Sequence, residues 1–410
     1  MPPLELSSQR SDDAAFLQTL ADRSDIPGLG FVRIEGSGST TVFIGDAVVG
    51  ARALDAGSVF EAASLSKPLV AYLTLRLVDE GKLDLDAPLL SYVPTLPLPA
   101  ADPRSAGVTL RSALSHSTGL TGDETSQLTF TAEPGSTFAY YPAGYRLVQR
   151  VIEAVEDMPF NDVMQREVFD PLGMTDSSFV WRDEFAPRFA ARHDALGAAL
   201  SRRPGPDAPA NAAASLLTTP KDYGRFLAAV LDGEGLLPSA HAAMLTPQIE
   251  VTGTGGRVKW GLGWGLEPSE GRFFHYGDDG AAKSYVAGSL TGRRAVAYFA
   301  NTTYGLAPAR EIVSSAFPGP QPGIDWIDYP GIDDPVRLAR RDLLRAYVEG
   351  GVPKGLETFN HLTEQYPDLD FTSLVGWVGW ALDSRSLAAE KAGLQTALAN
   401  WQMRKPADPR

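Results

Sequence analysis

Strand-like patterns crowd the two ends of the first three hundred residues, and this placement restricts the fold more than any other feature. GLGFVRIE (28–35) and STTVFIGDA (39–47) flank Gly36, Ser37 and Gly38, the composition of a hairpin turn. RFFHYG (272–277), SYVAGSL (284–290) and RAVAYFANT (294–302) follow far downstream, the last two joined around Thr291 and Gly292. Strands so separated are expected to meet in one antiparallel sheet built from both ends of a domain, with the helices between them as an insertion. A βαβ repeat would have interleaved the two. The expected class is α/β.

Helical signals fill the rest. Residues 11–24 read as a short helix. The stretch 65–78 is almost wholly apolar, with Gly81 just past its end as a C-cap, so this helix is expected to be buried rather than amphipathic. From about 83 to 240, loops rich in proline and glycine alternate with helices such as 145–155 and 223–231, which reads as a helical subdomain. Residues 318–335 hold five prolines and three glycines, the composition of a linker. Beyond it four short helices are expected, around Leu343, Phe359, Trp377 and Leu394. The expected division is a catalytic-type domain over 1–318, a linker over 319–334 and a small all-α domain over 335–410. Trp377, Trp380 and Trp401 are costly to leave in water, which favours these helices packing on the rest of the chain.

Composition excludes several functions. With 410 residues, 44% of them hydrophobic and 21% charged, the chain can bury a large core and is not disordered. No uncharged run reaches the ~18 residues of a membrane-spanning helix. A net charge of −14 repels phosphate backbones, so nucleic acid is not an expected partner. There is no cysteine, hence no disulfide, thiolate metal site or cysteine nucleophile. The five histidines (116, 193, 241, 275 and 361) show no HxxH spacing, and neither a metal nor another cofactor is expected. MPPLELSSQR lacks the basic-then-apolar order of a signal peptide. The expected compartment is the cytoplasm, or the periplasm or exterior if a leader has been removed.

The chemistry concentrates at Ser64-Leu65-Ser66-Lys67, which opens the buried helix. A serine hydroxyl is a weak nucleophile until a base takes its proton, and a lysine three residues on lies one turn away on the same face. Burial lowers a lysine pKa, so its amine can be neutral and serve as that base. The helix N-terminus adds backbone N–H groups where an oxyanion would form. The spacing alone is weak, since a Ser and a Lys three apart arise easily by chance.

The company of that motif is more specific. LSHSTGL (114–120), PGSTFAYYPAGY (134–145), FDPLGMTDSSF (169–179) and FHYGDDG (274–280) follow in order. With them the chain resembles the serine β-lactamase-like and penicillin-binding-protein family: class C β-lactamases, D-Ala-D-Ala carboxypeptidases and family VIII esterases, over roughly residues 12–318. The resemblance implies a β-lactamase-like antiparallel sheet flanked by helices. It makes Ser64 the nucleophile, Lys67 the lysine of the same motif, and Tyr140 the tyrosine of YxN, whose phenolate would pass a proton to the leaving group. His275, Tyr276 and Gly277 fall at the KTG position. That segment would be an edge strand pairing with substrate, with Asp278 supplying the second oxyanion N–H. Pro142 stands where the family has asparagine, and this loss of an amide leans toward esters over β-lactams and peptides. His116 lies in a turn-like segment, where a structural role is expected.

The favoured reading is a serine hydrolase forming an acyl-Ser64 intermediate on a small-molecule ester, amide or peptide. A D-amino-acid peptidase or β-lactamase of the same family is the alternative within the class; a non-catalytic scaffold on this fold is the alternative outside it. The tail resembles a degenerate tetratricopeptide hairpin, and homodimerisation or peptide contact through it is a further expectation. Loops 95–106, 121–133 and 200–214 would wall the substrate pocket.

Overall fold

The computed structural model describes residues 4–123, 127–200, 205 and 207–404. A helix, Leu4–Arg23, precedes the hairpin β1 (Gly28–Glu35) and β2 (Gly38–Val48), and the short β3 (Arg52–Ala53) follows. The insertion carries β4 (Phe60–Glu61), the hairpin β5 (Leu120–Asp123) and β6 (Gln127–Phe130), and β7 (Leu217–Thr218), which pairs with β4. Then come β8 (Ile249–Glu250), β9 (Lys259–Trp260), β10 (Gly265–Glu267), β11 (Arg272–Asp279), β12 (Ala282–Ser289) and β13 (Arg294–Ala300). The main sheet runs β3-β2-β1-β13-β12-β11-β10-β9-β8, with every pairing antiparallel. The chain's early and late strands therefore meet at β1 and β13, Phe31 opposite Tyr298.

Both faces of this sheet are covered, and the pleat sorts the side chains. Val32, Ile34, Ala297 and Phe299 face the helical insertion, where they meet Leu69, Tyr72, Tyr223 and Phe226. Phe31, Val42, Val296 and Tyr298 face the other way, into a layer with Leu17, Leu20, Ile312 and Val313 from helices Leu4–Arg23 and Ala309–Ala316. The apolar helix spans Ser66–Asp79, with eleven of its fourteen residues buried. Gly81 adopts a φ of +72° just beyond it, as a C-terminal glycine cap requires.

The proline-rich stretch 319–334 does not hang free. It carries a helix, Pro322–Ile327, whose Gly323 N–H donates to Glu267 Oε1 at 2.7 Å, while Ile324 and Trp326 pack on the second face of the sheet. Prolines here stiffen a packed strap rather than extend a linker. The tail follows as helices Pro335–Gln365, Phe371–Ser384 and Ala388–Arg404. The first is broken at Gly351, whose φ of 63° and ψ of −163° no helix accommodates, so four helical segments result. Their core takes in Ala195 and Tyr304 from outside the tail. Trp377 stacks on Tyr304 at 5.8 Å and Trp401 meets Phe371 at 5.1 Å, whereas Trp380 is 58% exposed against expectation. Among the described residues no helix is long and apolar enough to cross a membrane.

Candidate active site

Ser64 sits in a 3₁₀ turn, Ala63–Leu65, that leads directly into the buried helix. Ala63 is held at φ +49°, a region L-residues occupy only when their surroundings fix it. Those surroundings are dense. Ser284 Oγ donates to Ala62 O at 2.8 Å, Ser66 Oγ donates to Ala63 O at 2.7 Å, Ala62 N–H donates to Leu216 O, and Tyr223 Oη donates to Leu65 O. Gly277 of β11 completes the vice. A Cβ there would lie 2.2 Å from Ser284 Oγ and 2.5 Å from Ala62 O, so only glycine lets the strand approach the turn that carries Ser64.

Lys67 Nζ lies 2.8 Å from Ser64 Oγ and donates to Ala213 O at 2.8 Å. It is buried, and among the described residues no carboxylate lies beside it. Burial, reinforced by the charge of Arg146, brings its pKa down to about 7. At neutral pH a large share of the amine is neutral, with a lone pair for the serine proton. Ala213 O is the second acceptor for Lys67, and Pro142 has no side-chain acceptor to offer it. Pro142 instead starts helix Ala143–Glu156 with φ −67°, the angle its ring enforces.

Tyr140 faces the same centre, with Lys67 Nζ 5.0 Å from its ring centroid. Burial and the nearby Tyr276 raise its pKa, while Ser64 is close enough to oppose that shift without standing in hydrogen-bond geometry. The resting group is therefore the phenol, not the phenolate expected from the resemblance, because burial penalises the charged form. His275 is fully buried. Its Nδ1 donates to Tyr276 O at 2.9 Å, and burial next to Lys67 lowers its pKa to about 3, so the ring is neutral. Tyr276 stacks on Tyr140 at 5.8 Å and its own pKa is raised to about 12 by burial.

β11 departs from expectation in one respect. It is an interior strand, paired with β12 on one side and β10 on the other. However, β10 begins opposite Phe274, so among the described residues no strand pairs with the stretch from His275 to Asp279 on that side, and it remains an open edge. Asp278 lies exposed on this edge, its carboxylate bonded to Lys283.

The fold thus gathers Ser64, Lys67, Tyr140, His275, Tyr276 and Gly277 around one point. It adds His116, which the sequence analysis gave a structural role, and two tryptophans that sequence reasoning missed. His116, at φ +55°, lies 4.3 Å from Tyr140 ring to ring, and its Nδ1 accepts from Tyr141 N–H at 3.2 Å. Trp260 meets His116 and His275, each at 5.5 Å, and Trp326 of the proline-rich strap meets Tyr276 at 6.0 Å. Tyr140 Oη, His116 Nε2, His275 Nε2 and Trp260 Nε1 are all buried and unpartnered among the described residues, four polar atoms within one aromatic shell. Trp326 carried a readable signal, since Ile324 and Ile327 flank it at helical spacing. The carbonyl of Ala213 carried none. A cavity of about 350 Å³ adjoins the site, lined by Glu61, Arg192, Asp279, Asn211, Ala214 and Ser215, with Arg192 clamped between the two carboxylates. Of the expected pocket loops, 124–126, 201–204 and 206 lie outside the described residues.

A family model described as beta-lactamase matches residues 14–314. Penicillin-binding protein 4 of Amycolatopsis lactamdurans is 27% identical over 260 residues, which are 56% of this chain and 68% of its own length. Esterase EstB of Burkholderia gladioli is 28% identical over 221 residues, 46% of this chain and 53% of its own. The chain thus spans about two thirds of the first relative and about half of the second. The solved D-alanine carboxypeptidase AmpC of Burkholderia cenocepacia superposes with a TM-score of 0.63 at 19% identity, covering 74% of this chain and 98% of that one, a likeness of fold.

Proposed function

This chain belongs to the beta-lactamase family, and on that premise we propose that it is a serine hydrolase that works through an acyl-Ser64 intermediate and prefers esters to β-lactams. One observation carries the reading: a buried Lys67, lowered to about 7 and without a carboxylate among the described residues, 2.8 Å from Ser64 Oγ. A scaffold protein would gain nothing from keeping a desolvated amine against a serine.

The steps follow from the charges. Neutral Lys67 takes the Ser64 proton as Oγ bonds to the substrate carbonyl carbon. The oxyanion turns toward the backbone N–H groups of Ser64 and Asp278, the latter on the open edge of β11. On collapse the bond to the leaving alkoxide breaks, and the Tyr140 phenol gives that oxygen its proton. The Lys67 ammonium then returns a proton to Tyr140 Oη. Water attacks the acyl-enzyme by the same route in reverse and frees Ser64.

The ester preference rests on Pro142. The lysine finds its second acceptor in the Ala213 carbonyl, which leaves no side-chain amide for the acyl-side carbonyl of a penicillin or peptide. The similarity to Esterase EstB points the same way. Intact-protein mass spectrometry after exposure to a p-nitrophenyl ester, a penicillin and a D-Ala-D-Ala peptide tests the proposal. The ester should give an adduct on Ser64 that forms and decays fastest. Faster turnover of the penicillin would overturn the preference, and no Ser64 adduct with any of them would overturn the mechanism.

A further inference from the structure

We propose that the joint between the C-terminal helices and the sheet is a binding site for a small oxyanion, a carboxylate or phosphate, held by Arg340, Lys283 and the Tyr304 hydroxyl. A cavity of about 190 Å³ lies there. The sheet side contributes Lys283 and Tyr304, and the first tail helix contributes Arg340. The space suits a group of a few heavy atoms and is below the size of drug-like pockets.

Charge is the first argument. In a chain of net charge −14, this cavity collects the cations of Lys283, Arg337 and Arg340 against the single carboxylate of Asp278. Asp25 does not redress the balance. It meets Arg337 at 3.1 Å but also Arg341 at 3.3 Å and Arg345 at 3.5 Å, and with Asp342 on Arg341 at 2.8 Å that makes two acids for three guanidiniums.

Unused hydrogen-bonding capacity is the second argument, and it is independent of the first. The Arg340 side chain makes no hydrogen bond or ion pair with any described residue, and its Nε is buried and unpartnered. Its guanidinium lies 5.5 Å from the centroid of the Trp377 ring, a stacked posture that fixes the fork while leaving its donors free. Tyr304, only 3% exposed, lines the same cavity with an unpartnered hydroxyl. Buried donors without partners are uncommon in folded proteins, and here two of them share a cationic pocket. The aromatic walls of Trp377 and Tyr329 keep the local dielectric low, which strengthens any charge-assisted bond formed inside. Lys283 already answers Asp278, and since that carboxylate is 39% exposed it can turn to solvent when an anion enters.

The test uses the full chain at constant ionic strength, titrated in parallel with inorganic phosphate and with acetate, and read by calorimetry and melting temperature. At least one anion should bind saturably and raise the melting temperature; the one that does identifies the chemistry. Arg340→Met keeps an unbranched chain over Trp377 but should weaken binding about tenfold or more. Tyr304→Phe removes a single oxygen and should weaken it roughly 2- to 12-fold, and it carries the test should Arg340→Met fail to fold. If neither anion saturates, or the variants bind as the parent does, the site is refuted.

Discussion

Lys67 and Arg337 are buried to the same degree, each 1% exposed, yet their two regions handle the charge in opposite ways. Around Arg337, Nε and Nη2 donate to Ile332 O, Nη2 also to Arg23 O, and Nη1 to Ser24 O and to the Asp25 carboxylate. Every donor direction is answered and a counter-charge is present, so the guanidinium rivets the first tail helix to the loop after the N-terminal helix. Around Lys67, among the described residues, there are two polar contacts, no carboxylate, and the added repulsion of Arg146. The same burial that leaves Arg337 a structural fastener lowers the pKa of Lys67 as the proposed base requires, and the difference is the acid beside Arg337.

The largest expected effect comes from the site. Ser64→Ala should lower turnover on the order of 10³-fold or more, with circular dichroism unchanged, because the nucleophile makes and breaks the covalent bond. More than a tenth of the parent activity would break the acyl-Ser64 reading. Lys67→Met should lose as much activity, yet melt higher than the parent at pH 7. The sign follows from linkage: folding lowers the lysine from 10.5 to about 7, so the unfolded chain binds more protons between those values. Stability therefore rises with pH across that window, and the full penalty applies below about 7. A lower melting temperature for Lys67→Met would mean that its bonds to Ser64 and Ala213 outweigh its desolvation.

Arg337→Met should do the reverse. Removing the guanidinium strands four carbonyl contacts and takes from Asp25 one of its three guanidinium partners, at a cost of about 3 kcal/mol read from denaturant unfolding. A neutral outcome would deny the tail its fastening role. The pH profile sharpens the contrast further. Since the reaction needs the neutral amine, kcat/KM should fall about tenfold per unit below pH ~7. An acid limb near 4 would point to a carboxylate base instead.

The smallest effect concerns Pro142. Pro142→Asn should speed acylation by penicillin relative to a p-nitrophenyl ester by roughly 2- to 12-fold, the worth of one regained hydrogen bond. Loss of the helix-starting ring slows both substrates together, so the ratio of the two rates isolates the amide. An unchanged ratio would move the origin of specificity to the loops around the cavity beside Glu61 and Arg192.

Much of this molecule is written locally. The strand-like runs of β1, β11, β12 and β13 between glycine-bearing turns, the apolar run of the Ser66–Asp79 helix, and the Ser64/Lys67 spacing are all short-range patterns, and each is legible because it lies within a few consecutive residues. Three features depended on packing. The strap around Trp326 reads as a linker because proline content reports stiffness and not burial. The open edge of β11 depends on where β10 begins, which no residue of β11 encodes. The lysine's second acceptor is a backbone carbonyl from Ala213, 146 residues away, and every residue has a carbonyl. What the sequence determined was which side chains could do chemistry; what the tertiary structure decided was which of them are desolvated and which are paired, because solvation and charge pairing are properties of neighbours distant along the chain.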